Sequence, residues 1–177
     1  MASSFSTSLK LEKMTTGEKA GLWGTVTNTN LDIVEQAVGG YVELSLASGN
    51  QTPAISDGAA SDGRNKVIKL TGTLSANRSL IFPDSCEKTY LVIDGTTRSS
   101  SHYTITIKTS SGTGVTMPVG STMLVIVDGT NVITGITQKG YVTTTGAYTA
   151  VNGDQVIVDT SAAAVTVTLP ASPAVGN

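Results

Sequence analysis

The residues able to do acid–base, nucleophilic or metal chemistry are few and scattered along this 177-residue chain. His102 is the only histidine, so the sequence excludes a two-histidine metal site, and it lies in a polar loop at a strand start. Cys86 is the only cysteine, and neighbouring Lys88 favours a lowered thiol pKa. A surface histidine and a structural cysteine are the simpler interpretations. We therefore predict no catalytic residue, no cofactor and no metal ion.

Seven aspartates outside the predicted helix are the remaining candidates for acid–base or Ca²⁺ chemistry. Four of them precede glycine, a dipeptide typical of type I′ hairpin turns. These pairs are Asp57-Gly58, Asp62-Gly63, Asp94-Gly95 and Asp128-Gly129. Turn geometry explains them without a functional site, although a Ca²⁺ site between loops and a glycosidase carboxylate pair remain open alternatives. No nucleotide-binding, hydrolase or EF-hand motif occurs, so we predict that the protein is not an enzyme.

Composition indicates an all-β protein with short strands. The chain has 28 Thr and 18 Val, which favour strands, and 19 Ser and 19 Gly, which favour turns. Only 14% of the residues are charged, the net charge is −2, and no Lys/Arg cluster occurs, so nucleic acid is not a predicted partner. No apolar run approaches the roughly 20 residues of a membrane-spanning helix, and the N-terminus lacks a secretory signal. We predict synthesis in the cytoplasm, without a membrane partner.

One short helix is predicted in an otherwise extended N-terminal segment, residues 1–40. Leu31, Val34 and Val38 follow the spacing of a helical apolar face. Residues 28–30 suit a helix N-terminus, and Gly39-Gly40 would end the helix. The expected helix spans about residues 30–38.

From Tyr41 onward, apolar residues alternate with polar ones, and turn signals recur every 8–12 residues. This pattern predicts a β-sandwich module over residues 41–137. Residues 138–147 are predicted to be a linker, and residues 148–177 the start of a second β-module. Two strands cannot form a stable domain alone, so either other subunits complete this module or the natural chain continues.

The N-terminal segment carries apolar groups that its own chain has little means to bury. Trp23 buries about 150–250 Å² when it packs, and a two-turn helix is not stable by itself in water. We expect the segment to dock on identical segments or on a larger assembly, with packing on its own β-domain as the alternative. The predicted docking or oligomer interface comprises Leu22, Trp23, Asn28, Asn30, Leu31, Val34 and Val38.

The stretch TGEKAGLWGTVTNTNLDIVEQAV, residues 16–38, resembles the N-terminal signature of tail fibre proteins of tailed bacteriophages, notably those infecting cyanobacteria and marine bacteria. The matching positions are Thr16, Gly17, Glu18, Ala20, Gly21, Trp23, Gly24, Thr27, Asn28 and Asn30. Later stretches, such as IKLTGTLSANRSLIFPD, resemble the β-modules of such fibres. The resemblance implies a homotrimer whose N-terminal part binds tail, adaptor or baseplate proteins, while a distal C-terminal part binds the host.

These observations predict a structural virion protein, the tail-proximal part of a homotrimeric tail fibre that attaches the host-binding fibre to the tail. It would be made in the bacterial cytoplasm and reside in the virion tail. A capsid decoration or head-fibre protein is the first alternative, and a fragment of a polysaccharide-degrading tailspike is the second. Low charge suits burial between subunits, because charges at an interface must be desolvated.

Overall fold

The computed structural model describes residues 2–100, 102–138, 141–151 and 154–170. The chain divides into two compact units, residues 1–137 and 138–177. Strands predominate and one α-helix is present in the described residues, which confirms the predicted all-β class with a single helix. Three parts of the predicted second half lie outside the described residues: residues 139–140 of the linker, and residues 152–153 and 171–177 of the second module.

Among its described residues, the first unit contains one helix, α1 (Trp23–Gly39), a 3₁₀ turn over Asp62–Arg64, and twelve strands. The strands are β1 (Ser4–Phe5), β2 (Glu12–Lys13), β3 (Tyr41–Ser45), β4 (Val67–Thr71), β5 (Thr73–Leu74), β6 (Arg78–Phe82), β7 (Glu87–Asp94), β8 (Thr97–Arg98), β9 (Ile105–Thr109), β10 (Gly114–Met117), β11 (Thr122–Asp128) and β12 (Val132–Gln138).

Six of these strands form a three-sided coil of parallel strands. The chain runs through three sheets in the order β4, β5, β6 and then repeats that order with β7, β8, β9. Each strand of the first turn pairs in parallel with the corresponding strand of the second turn. Val67 faces Leu91, 24 residues later, and Arg78 faces Ile105, 27 residues later. This arrangement is a short β-solenoid, in which each turn lies on the one before it.

Additional strands extend both ends of the coil. β3 lies parallel to β4, and a single bridge joins Gln51 to Leu80, so an earlier partial turn precedes the two full ones. β11 pairs antiparallel with β7, and β12 lies on the other side of β11 in the same sheet. β10 pairs antiparallel with β9. The predicted β-sandwich is thus right in placing sheets around one core, and differs in topology, because β4 to β9 pass through three sheets in turn and repeat that order in parallel.

The core lies inside the coil and draws on all three sheets, because alternate side chains of each strand point inward. Tyr90 and Phe82 stack within it, with ring centroids 4.1 Å apart. The fully buried apolar residues include Leu46, Ile68, Leu70, Leu74, Leu80, Phe82, Tyr90, Val92, Ile105, Ile107 and Val125.

Helix α1 is longer than the predicted one. It begins at Trp23, seven residues before the expected start, and the N-cap Leu22 makes no side-chain capping bond. The prediction was wrong here because glycine and β-branched residues over 24–29, which have low helix propensity, indicated a loop, whereas the structure has them in the helix. The end of the helix at Gly39 is confirmed. A Cβ at Gly40 would lie 2.4 Å from Asn65 Oδ1, so close packing requires glycine there.

The second unit is a smaller version of the same construction. Its strands are β13 (Tyr141–Thr144), β14 (Tyr148–Thr149), β15 (Gln155–Val158) and β16 (Val167–Thr168). β13 pairs in parallel with β15, and β14 with β16, so the chain visits two sheets alternately. The predicted linker over residues 138–147 therefore differs from the structure, since it contains β13.

Candidate docking surface

Helix α1 has two apolar faces, of which one is exposed. Ile33 and Ala37 are buried against the rest of the unit. Trp23, Leu31 and Val38 are 65%, 62% and 73% exposed. At about 100° per residue, the exposed apolar side chains share an arc of roughly 80°, centred about a quarter turn from the buried face. We call this set, Trp23, Leu31, Val34 and Val38, the exposed stripe.

The exposed stripe bears no charge, although the helix carries two acidic side chains. Asp32 and Glu35 are exposed and lie outside the arc. Leu22, the residue before the helix, is also exposed, at 57%. Large apolar side chains exposed along one face of a helix are typical of a contact with another macromolecule.

The segment before the helix is fastened to the solenoid by a buried arginine. Arg64 is fully buried, and its Nε donates to the carbonyl of Leu9 at 2.7 Å. The remaining guanidinium nitrogens donate to the carbonyls of Ala59 and Ser56 and to Ser61 Oγ. Burial lowers the pKa of Arg64. Its hydrogen-bond acceptors are carbonyls and a hydroxyl rather than a carboxylate, and they join the N-terminal segment at Leu9 to the loop over residues 56–61.

Asn30 fastens the same segment to the helix. Its side-chain amide accepts from the Glu12 N–H at 2.9 Å and donates to the Glu12 carbonyl at 2.8 Å, as a neighbouring strand would. Asn30 is therefore occupied within its own chain and does not belong to the exposed stripe. Asn28 is exposed, but lies outside the arc of the stripe. Of the seven predicted interface residues, Trp23, Leu31, Val34 and Val38 share the exposed stripe, and Leu22 directly precedes the helix.

The N-terminal hairpin is also held by Glu18. The backbone N–H of Thr15 donates to this carboxylate at 3.2 Å, and Ser3 donates both its N–H and its hydroxyl, at 3.1 and 3.0 Å. These bonds, that of Thr15 first, lower the pKa of Glu18. The base from which α1 projects is therefore ordered by its own hydrogen bonds.

Cys86 and Lys88 lie in the interior rather than at a reactive site. Burial raises the pKa of Cys86, which outweighs the lowering that its neighbour Lys88 produces. Lys88 Nζ donates to the Asn65 carbonyl at 2.9 Å and lies 4.0 Å from the Tyr90 ring centroid. Desolvation, with the nearby charge of Lys66, lowers the pKa of Lys88 to about 8. The thiol is thus protonated and enclosed, as expected for a structural cysteine.

The predicted hairpin turns prove to be of two kinds. The turn between β11 and β12 has Gly129 and Thr130 as its central residues, because the Asp128 N–H donates to the Asn131 carbonyl. Only Gly129, the first of the two, has a positive φ, +90°, which fits a type II′ rather than a type I′ turn. Asp94-Gly95 instead turns the chain from β7 toward β8. Asp94 is buried and pairs with Arg98 Nη2 at 2.9 Å. The sequence held no signal for this pair, because its burial depends on the coil.

His102 is exposed, and its Nδ1 lies 3.2 Å from Ser100 Oγ, so it is a surface histidine. Within the described ranges, no group of three or more His, Cys, Asp or Glu side chains is placed to hold a metal ion. No helix in the same ranges is both long and apolar enough to cross a membrane. Comparisons with family models, curated proteins and solved structures found no match to this chain.

Proposed function

We propose that the protein is a structural virion component, the tail-proximal part of a homotrimeric bacteriophage tail fibre that attaches through residues 1–40. The observation that carries the proposal is the exposed stripe on a helix that its own unit anchors through the buried side chains of Ile33 and Ala37. A helix anchored in this way presents its apolar side chains in a fixed arrangement, so a partner can bind without ordering the helix first.

Two further features support the proposal. The coil of parallel strands is a repeat construction in which each turn lies on the one before it, as in a fibre shaft. The resemblance of residues 16–38 to tail fibre attachment segments gives the exposed tryptophan a partner, a tail, adaptor or baseplate protein. The proposed location is accordingly the virion tail.

The test is the substitution Trp23→Ala in phage particles. Because Trp23 is 65% exposed, we expect the thermal unfolding of the purified variant to match that of the wild type. Incorporation of the fibre into particles should fall at least tenfold, measured by quantitative immunoblot of purified virions. Asn28→Ala, an exposed change on the same helix outside the stripe, should leave incorporation unchanged. Normal fibre occupancy on Trp23→Ala particles would refute the attachment role.

Cryo-electron microscopy of wild-type particles distinguishes the proposal from its first alternative. We expect density for this chain at the tail. Density on the capsid shell would instead identify a decoration or head-fibre protein.

A further inference from the structure

The helix has a second regularity beyond its exposed stripe. Gly24, Thr27, Leu31, Val34 and Val38 are spaced by three, four, three and four residues. This is the a/d spacing of a heptad repeat, with Gly24, Leu31 and Val38 at a and the other two at d. Such positions form the narrow seam along which helices of a coiled coil meet.

This seam is free in the single chain. Leu31, Val34 and Val38, its three large apolar residues, are all exposed, while the buried Ile33 and Ala37 lie about a quarter turn around the helix. Several copies of α1 can therefore meet on their seams while each keeps its contact with its own β-solenoid. Neither contact has to be broken to form the other.

The chemistry of the seam favours copies of the same helix as its occupant. None of its five positions is charged, so identical seams meet without repulsion between like charges. Leucine at a followed by a β-branched residue at d favours three or four strands over two. Two heptads are few for a free peptide, but here the helix is already ordered by its own unit, which removes much of the cost of nucleation.

We propose that three copies of α1 pack in parallel along Leu31, Val34 and Val38, forming a short three-helix coiled coil. This inference rests on the proposed homotrimer and assigns its contact. It also divides the exposed stripe into two parts. The C-terminal part joins the copies, whereas Leu22 and Trp23, at the N-terminal end of the helix, are left to bind the tail.

Disulfide trapping tests the contact in the full chain. In Val34→Cys, equivalent d positions of a parallel coil bring the new thiols within reach of each other, so mild oxidation should link two copies. Asp32→Cys is the matched control, because Asp32 is exposed on the same helix and faces away from the seam. The native Cys86 is buried and should not react. We expect Val34→Cys to cross-link at least tenfold faster than Asp32→Cys on a non-reducing gel.

Equal cross-linking rates for the two variants would overturn the coiled-coil contact. Light scattering of the wild-type chain separates this failure from that of the proposed function. A trimeric mass without preferential Val34→Cys cross-linking contradicts only the helix contact, whereas a monomeric mass contradicts the trimeric fibre as well. As a second variant, Val38→Glu should lower the trimer fraction at least tenfold at a concentration where the wild type is trimeric.

Discussion

The two units of this chain use the same strand construction, yet only one of them has an interior. In the first, parallel strands in three sheets enclose a cluster of 17 buried hydrophobic residues. In the second, parallel strands in two sheets leave Ala150 as the only buried hydrophobic side chain among its described residues. Backbone pairing is therefore satisfied in both units, whereas burial of apolar surface, the main stabilising term in folding, is achieved in one.

The difference comes from how side chains alternate in the second unit. β13 and β15 each place exposed and half-buried residues in turn. Val156 and Val158 lie on the half-buried side, while Tyr141 and Ile157 are 68% and 49% exposed on the other. Two-stranded sheets with apolar groups on both faces are marginal in water. We infer that the first unit is stable by itself and that the second depends on contacts beyond its own described residues.

Removal of a core side chain should have the largest effect and should be confined to the first unit. Phe82 is fully buried and stacks on Tyr90. Phe82→Ala should lower the free energy of unfolding of this unit by about 3–5 kcal/mol, through lost burial and the cavity left behind. Amide hydrogen exchange, read separately for the two units, measures the effect.

Val156→Ala is the matched change in the second unit. Its side chain is only half-buried, so the free energy of opening measured by amide exchange in that unit should change by less than about 1 kcal/mol in the dissociated chain. Comparable losses for the two substitutions would show that the second unit has a core of its own, and the contrast between the units would be wrong.

The sequence predicts strands well here and strand partners poorly. Alternation over residues 41–46 identifies Val42 and Leu44 as inward-facing, as observed. The partner of Val67 is Leu91, one turn of the coil later, and no local pattern encodes that offset. Alternation reports which face of a strand is apolar, and it is the same for a sandwich and a solenoid.

The exposed stripe was predictable for a similar reason, and its surroundings were not. Leu31, Val34 and Val38 follow helical spacing, which can be read within two turns of helix. The role of Asn30 depends on Glu12, 18 residues away, and that of Arg64 on Leu9, 55 residues away. Long-range polar contacts of this kind arise only after the fold has brought the segments together.

A buried ion pair gives the next largest expected effect. Asp94 accepts hydrogen bonds from Arg98 Nη2, the Thr96 hydroxyl and N–H, and the Gly120 N–H. Arg98 Nη1 is buried and has no hydrogen-bond partner in the described part of the chain. Asp94→Ala would leave the guanidinium without its carboxylate, so we expect a loss of about 3 kcal/mol in urea unfolding of the first unit.

The double variant Asp94→Ala/Arg98→Met serves as the control for this pair. Because it removes the stranded charge, it should recover at least half of the lost stability, and no recovery would mean that the pair is not closed off from water.

In the second unit, Tyr148 donates to Asp154 at 2.7 Å at a half-buried position. Tyr148→Phe should therefore cost less than about 1 kcal/mol in the dissociated chain.

The smallest predicted effect is a pH dependence of the first unit. The pKa of Lys88 is about 8 in the folded chain, against 10.5 as the ordinary value. Between these values the unfolded chain binds the additional proton, so the stability of the first unit should rise with pH. Lys88 is only half-buried, and solvent screening limits the gain to about 1 kcal/mol. Urea unfolding at steps from pH 7 to pH 9.5 measures it.

Lys88→Met should remove this rise, whereas Lys108→Met, on the outer face of the three-stranded sheet, should retain it. The rise in stability with pH ends near pH 10, where tyrosines of the unfolded chain lose their proton. Burial raises the pKa of Tyr90, so the folded chain keeps this proton and stability falls with pH from there on. In the second unit the pKa of Tyr148 is also raised, by its bond to Asp154. An identical slope in Lys88→Met would mean that the ammonium is solvated in the folded chain, and that the interior of the first unit is open to water on that side.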